Sequence, residues 1–248
     1  MLIVLPLTGM FVKTGPMEVL GLFSDKEVMY SILLTFEAAF YATLFAILFG
    51  TPLAYILARF DFRGRRFIEA FIDIPIMVPH TAAGIALLVV FGTGALGAAF
   101  KSAGIEFMGT KAGIALGMAF VSIPFYIDSV KDGFASIDPR IENVARSLGA
   151  TRAQVFFRVM LPIAMRSVFT GSVLMWGRGI SEFGAVVILA YHPMTAPVLI
   201  YERFTSFGLK SSRPVAVLLI ILCVCVFIIL KVLSNIRLGI GVNSKRNK

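Results

Sequence analysis

The chain predicts an all-α, polytopic membrane protein, on three observations. Of its 248 residues 58% are hydrophobic and 15% charged, and the mean hydropathy is +0.90, more apolar matter than a soluble core of this length needs. Five stretches, roughly 28 to 58, 68 to 92, 111 to 131, 167 to 190 and 214 to 233, are each long enough to cross a bilayer at about 20 residues per crossing. Lys and Arg gather in alternate loops, so the net charge of +9 marks membrane topology and not a nucleic-acid surface.

Taken in order, residues 1 to 12 are apolar but cover only part of a membrane at about 1.5 Å of rise per residue. They lack the basic start and small-residue cleavage site of a signal peptide and are expected as a shortened first helix, with a re-entrant or surface segment as the alternative. With this stub the chain has about six membrane helices in one domain, 1 to 248. The first complete span carries Glu37. The next carries Asp73, Pro75, Pro79 and His80, and its prolines free backbone groups that neighbours or water must satisfy. Such interruptions are either simple kinks or the border of a transport path, and Pro124 raises the same choice in the span 111 to 131.

Gly92, Gly94 and Gly97 spell a dinucleotide-binding string, but that fingerprint needs a strand before it and a soluble domain around it. A phosphate loop ending at Lys101-Ser102 fails because Ala95 and Phe100 stand where glycines are required. The chain therefore carries no visible nucleotide site and is not expected to be an enzyme. Gly109, Gly113 and Gly117 recur every fourth residue and suit close helix packing. His80 and His192 stand apart from any ligand-like cluster, and Cys223 and Cys225 lie within an apolar run as packing residues, so no metal is expected.

On the fifth complete stretch Arg178 and Glu182 stand four residues apart with Ser181 between them. Charges at that depth need partners; they either neutralise each other or line a cavity that an anion crosses. Glu37 and Asp73 share this ambiguity. Orientation follows from the basic residues: four at 59 to 66, six at 131 to 166 and five at 231 to 248 make fifteen on one side. The other side holds seven, with Arg178 inside a span. The excess marks the cytoplasmic face and places both termini inside a cell membrane.

Residues 132 to 166 form a polar, cytoplasmic island. Asp138 caps a helix whose first residue is Pro139, and Gly149 stands where a left-handed terminator is needed. Along that helix, about 139 to 148, Ile141, Val144, Ala145 and Leu148 make one apolar face, made to be buried, with Asn143, Arg146 and Ser147 opposite. Thr151 and Gln154 offer a capping box for a second helix bearing Val155, Phe156 and Val159, expected to end as the chain reaches Pro162. By periodicity alone the island is equally an amphipathic connector lying on the bilayer.

The island resembles the EAA loop of ABC importer permeases: Gly149, Val159, Leu161 and Pro162 fall in register with its Gly, Ile and Leu-Pro, and Ala145 with its last Ala. Asn143 stands where the pattern has Glu, with the carboxylate one place early at Glu142. The stretches Asp73 to Leu88 and Trp176 to Ala185 are similar to segments of molybdate, tungstate and sulfate permeases. What that resemblance implies is the membrane half of an oxyanion importer, paired with a second copy, loaded by an external oxyanion-binding protein and driven by two ATP-binding cassette subunits that hold the ATP and Mg. The coupling set is then Ile141, Glu142, Val144, Ala145, Leu148, Gly149, Phe156, Leu161 and Pro162. Asp73, Pro75, Pro79, His80, Arg178, Ser181 and Glu182 are the candidates along the path. Length and a single coupling loop favour the molybdate/tungstate branch over sulfate. The rivals are an ion-coupled secondary transporter using Arg178, Glu182, Asp73 or Glu37, and a structural subunit of a larger complex.

Overall fold

The computed structural model describes residues 1–2 and 4–238, and every regular element among them is helical. Helix α1 spans Val4–Val12, α2 Pro16–Gly21, α3 Lys26–Arg59, α4 Arg65–Met77, α5 His80–Thr93, α6 Ala95–Ser102 and α7 Lys111–Ala135. Then come α8 at Pro139–Ser147, α9 at Arg152–Ile180, α10 at Gly184–Leu189, α11 at Ala196–Phe207 and α12 at Leu209–Leu238. Helices α3, α7, α9 and α12 are long and apolar enough to cross a membrane, and α4 with α5 makes a fifth candidate bent by 113°. The N-terminal stub is helical over nine residues, about 13 Å of rise. Most of the basic tail expected on the cytoplasmic side, residues 239 to 248, lies outside the described residues.

Pro79 interrupts its span as the sequence predicts, whereas Pro75, Pro124 and Pro162 are carried inside helices. The stretch 68 to 92 is not one helix: Val78 is held extended by the proline that follows it, and the chain turns there before α5 begins at His80. By contrast α7 runs unbroken through Pro124. Nor does the helix of the island stop at Pro162, since α9 continues from Arg152 to Ile180. The reason is a π-helical stretch at Phe156–Met160, where the Leu161 N–H reaches back five residues to the Phe156 carbonyl. That shift of register comes immediately before the residue that has no N–H to give. The same device recurs in α3, whose π stretch at Ala46–Gly50 lies two residues ahead of Pro52. The stretch 167 to 190 is likewise broken, at Ser181 to Phe183.

The centre of the bundle is α3 against α7 and α9. Ala38, Ala39, Ala42 and Ala46 make α3 narrow on its buried side. In a lipid medium, where apolar burial alone does not draw helices together, such small residues bring in dispersion contacts at close range. One buried polar pair crosses the same seam, Thr51 Oγ1 with Tyr126 Oη at 2.6 Å. At the opposite end Asp25 caps α3 by accepting from Glu27 and Val28 N–H and receives Arg203 of α11 at 2.8 Å. The hydrogen bond from Arg203 holds the Asp25 carboxyl below the usual carboxylate range.

Candidate functional site

At 34 residues α3 is about 51 Å long, well beyond the roughly 30 Å of a hydrocarbon core, so its last turns project from the membrane beside α8. Helix α8 forms as its sequence dictates: the Asp138 carboxylate accepts from Arg140 N–H at 2.9 Å, Pro139 opens the first turn, and Gly149 turns the chain out at φ 89°. The Thr151–Gln154 capping box is present in both directions and starts α9.

The apolar face of α8 is split. Ala145 packs on the bundle, whereas Ile141, Val144 and Leu148 remain 41%, 60% and 83% exposed. Phe156 joins the core with Leu161, and Pro162 lies in α9 directly behind. Glu142 turns inward. Its Oε1 accepts from the Tyr55 hydroxyl at 2.6 Å, and its Oε2 lies 3.6 Å from Arg59 Nε, an ion pair too long to be a hydrogen bond. The Arg59 side chain, 8% exposed, also donates from Nη2 to the Ile137 carbonyl at 2.8 Å. Hydrogen bonds to a charged group contribute about 1.5–3 kcal/mol each, so these contacts fasten a nine-residue helix that would not hold alone. Tyr55 and Arg59 were missed in the sequence, where Arg59 counted only as a loop charge. Their spacing of four, which sets both on one side of α3, was the available signal.

The second site lies where two broken helices meet. Helices α5 and α10 are packed so closely that a Cβ on Gly84 would come 2.8 Å from the Ala185 carbonyl oxygen, and one on Gly184 would come 2.7 Å from His80 Cβ. Glu182, fully buried, fills the joint. Its Oε1 accepts from Ala185 N–H at 2.9 Å, and its Oε2 lies 2.8 Å from His80 Nδ1 and 3.2 Å from Arg178 Nη1. Arg178 Nη2 lies 2.9 Å from His80 Nε2, and Nη1 donates to Ser181 Oγ at 3.4 Å. Nη2 is also 3.1 Å from His80 Nδ1, so the guanidinium lies against the imidazole near both its nitrogens, while an imidazole with its proton on Nδ1 donates to Glu182. Gly179 beside this cluster packs on Ala39 and Met118, the latter seven residues, about 10 Å, from the Lys111 end of α7.

Other candidates stay apart. Pro75 is buried inside α4 and Pro79 sits at the bend, while Asp73 forms no ion pair among the described residues and keeps a buried, unpartnered Oδ1. Glu37, in the first half of α3, pairs with Lys111 at the start of α7 at 2.9 Å and takes no part in the hydrogen bonds of the joint. Gly113 and Gly117 face α10 and its approach, but Gly109 precedes α7 and donates its N–H to Leu189. The glycine string from Gly92 to Gly97 forms the turn between α5 and α6, with no strand before it. No group of His, Cys, Asp and Glu among the described residues is arranged to hold a metal.

A helical bundle with two broken spans and an exposed amphipathic helix on one end is the architecture of a polytopic membrane subunit. Residues 50–236 match the family of binding-protein-dependent transport system inner membrane components, and the chain belongs to that family. It is 44% identical to the molybdate/tungstate transport system permease protein of Pyrococcus furiosus, over 92% of this chain and 87% of that protein. The corresponding protein of Methanocaldococcus jannaschii is 40% identical, with 95% and 92% covered. A probable sulfate transport permease of Prototheca wickerhamii is 32% identical, covering 91% and 92%. Among solved structures, a bacterial ABC transporter for alginate import superposes with a TM-score of 0.71 at 18% identity, over 93% of this chain and 88% of that one. That likeness establishes the fold.

Proposed function

We propose that this chain is the membrane-spanning permease of an ATP-driven importer for a tetrahedral oxyanion, molybdate or tungstate. The single observation that carries the transport mechanism is the uncovered Ile141, Val144, Leu148 face on a helix that the bundle holds firmly. An apolar face presented to water on a fixed helix suits a groove on a partner protein. Two copies of the chain, each offering one such helix on the cytoplasmic side, pair with two ATP-binding cassette subunits that carry ATP and Mg, so no hydrolytic chemistry falls to this chain. Closure of the ATPase pair draws the two helices together and opens the bundle outward to receive the anion from an external binding protein. Hydrolysis returns it inward, a two-state change biased by ligands on partner subunits.

The anion is chosen from the relatives: those named for molybdate/tungstate are 40–44% identical, against 32–35% for the probable sulfate permeases. Of the acids a secondary transporter could use, Glu182 and Glu37 are already engaged by cations of the chain itself, which leaves Asp73 as the one without an ion pair among the described residues. The experiment is titration of the cognate external protein with molybdate, tungstate and sulfate, followed by uptake into vesicles holding the assembled complex. Binding of molybdate or tungstate at least a hundredfold tighter than sulfate is expected. A preference for sulfate, or uptake by this chain alone under an ion gradient, overturns the reading.

A further inference from the structure

The carboxylate of α8 does not face the surface on which a partner would dock. Glu142 and Val144 are two residues apart, about 200° around the helix, and the structure shows one turned to the bundle and the other to solvent. Asn143, next to Glu142, is exposed, so a carboxylate there would point outward. Moving the acid one place back therefore changes its partner from another protein to this chain's own α3.

What Glu142 meets is well supported. The Tyr55 ring is wedged between Phe134 of α7 and Phe156 of α9, with centroids 5.2 and 4.9 Å away, and edge-on to Phe60 at 6.0 Å. Such a ring has few ways to move, and it is set among three membrane helices at once. Arg59 reaches both Glu142 and the Ile137 carbonyl in the short link between α7 and α8. Apart from these, α8 is joined to the bundle by Ala145 and by two short connections, and none of its residues is fully buried.

We propose that Tyr55, Arg59 and Glu142 act as a strut, positioning α8 rigidly on the end of α3 so that movement of the docked helix reaches the membrane segment undiminished. This rests on α8 being the helix that docks on the ATPase. A polar contact of this kind has a consequence that simple helix stability does not: in complexes that still dock and hydrolyse ATP, loosening it lets less work reach the transport path.

The test is molybdate uptake and ATP hydrolysis measured together on the permease–ATPase complex in vesicles, with its external binding protein. For Glu142→Ala, the permease is expected to melt at a lower temperature, since contacts that fasten α8 are lost, and uptake per ATP hydrolysed by the recovered complex is expected to fall fivefold or more. Glu142→Gln still accepts from the Tyr55 hydroxyl and should retain most of the coupling. Tyr55→Phe should lower it, and Tyr55→Phe with Glu142→Ala should be no worse than Glu142→Ala alone, as for two ends of one strut. Unchanged uptake per ATP in Glu142→Ala, or full additivity in the double variant, overturns the proposal. So does loss of the complex in Glu142→Gln, which would place Glu142 in the docking contact itself. Failure of the wild-type chain to associate with the ATPase would instead overturn the docking reading on which the strut depends.

Discussion

The two sites of this molecule treat polar and apolar groups in opposite ways. At the helix joint every charge is closed upon another: Glu182 is surrounded by Arg178, His80 and the Ala185 N–H, and little of it is left for a solute. At the α8 end the polar contacts only fasten that helix from behind, while Ile141, Val144 and Leu148 are left without a cover. The difference teaches how to separate stability from function here. A group whose valences are all met within the chain holds the fold; a fixed face with its contacts unmade is what another protein can use.

The sharpest way to break this distinction is to open the joint. Glu182→Ala leaves the Arg178 cation without its buried partner, and removing one member of such a pair costs about 3–5 kcal/mol, a large part of the about 5–15 kcal/mol that a domain has. The variant should be recovered poorly and melt at a clearly lower temperature, and further replacement of Arg178 by Met should restore part of the loss. Wild-type melting of Glu182→Ala would mean that the cluster is held open for solute and that the contrast between the two sites is false.

A smaller effect is expected at the other end. Gly149 sits at φ 89°, with nothing within 4 Å of where a Cβ would stand. Gly149→Asp therefore meets no clash, and its cost is conformational, about 1–2 kcal/mol for a non-glycine residue in the left-handed region. Because the charge lands beside the Leu148 face, co-purification with the ATPase and stimulated hydrolysis should fall tenfold or more, with only a small change in melting of the permease alone. Undiminished recovery of the complex would remove Gly149 from the docking surface.

How far these sites were legible in the sequence follows the range of the interactions. Local signals were read correctly: the Asp138 cap, the Thr151–Gln154 box, the Gly149 terminator and the i, i+4 pair of Arg178 with Glu182 all recur in the structure. The EAA-like register located α8. What escaped were contacts made across the bundle, because nothing in the chain near Glu142 names Tyr55, 87 residues away, and nothing near Glu182 names His80. Proline was legible at Pro79 but not at Pro75, Pro124 or Pro162, for a related reason. Its effect depends on whether the preceding turns can shift register, as at Phe156–Met160, or whether the residue before it goes extended, as at Val78.

The mildest prediction tests whether a charge in the membrane region matters merely by being there. Lys111 and Glu37 form an ion pair at 2.9 Å, yet both side chains are at least 40% exposed, and the pair sits where α7 begins. Neither side chain is enclosed by the rest of the chain as Glu182 is, and holding two long side chains together costs rotamer freedom, so the net contribution is expected to be about 0–1 kcal/mol. Lys111→Gln should thus change melting by about 4 °C at most, with unchanged uptake per ATP. Its value is as a control on the joint: Glu37 and Glu182 are both acids on membrane helices, each with a basic partner, and they differ in burial. If Lys111→Gln were as damaging as Glu182→Ala, burial would not be what separates the two acids, and the Glu37 pair would belong with the transport path. If it is silent, the cost at Glu182 comes from the closed environment that α5 and α10 build around it.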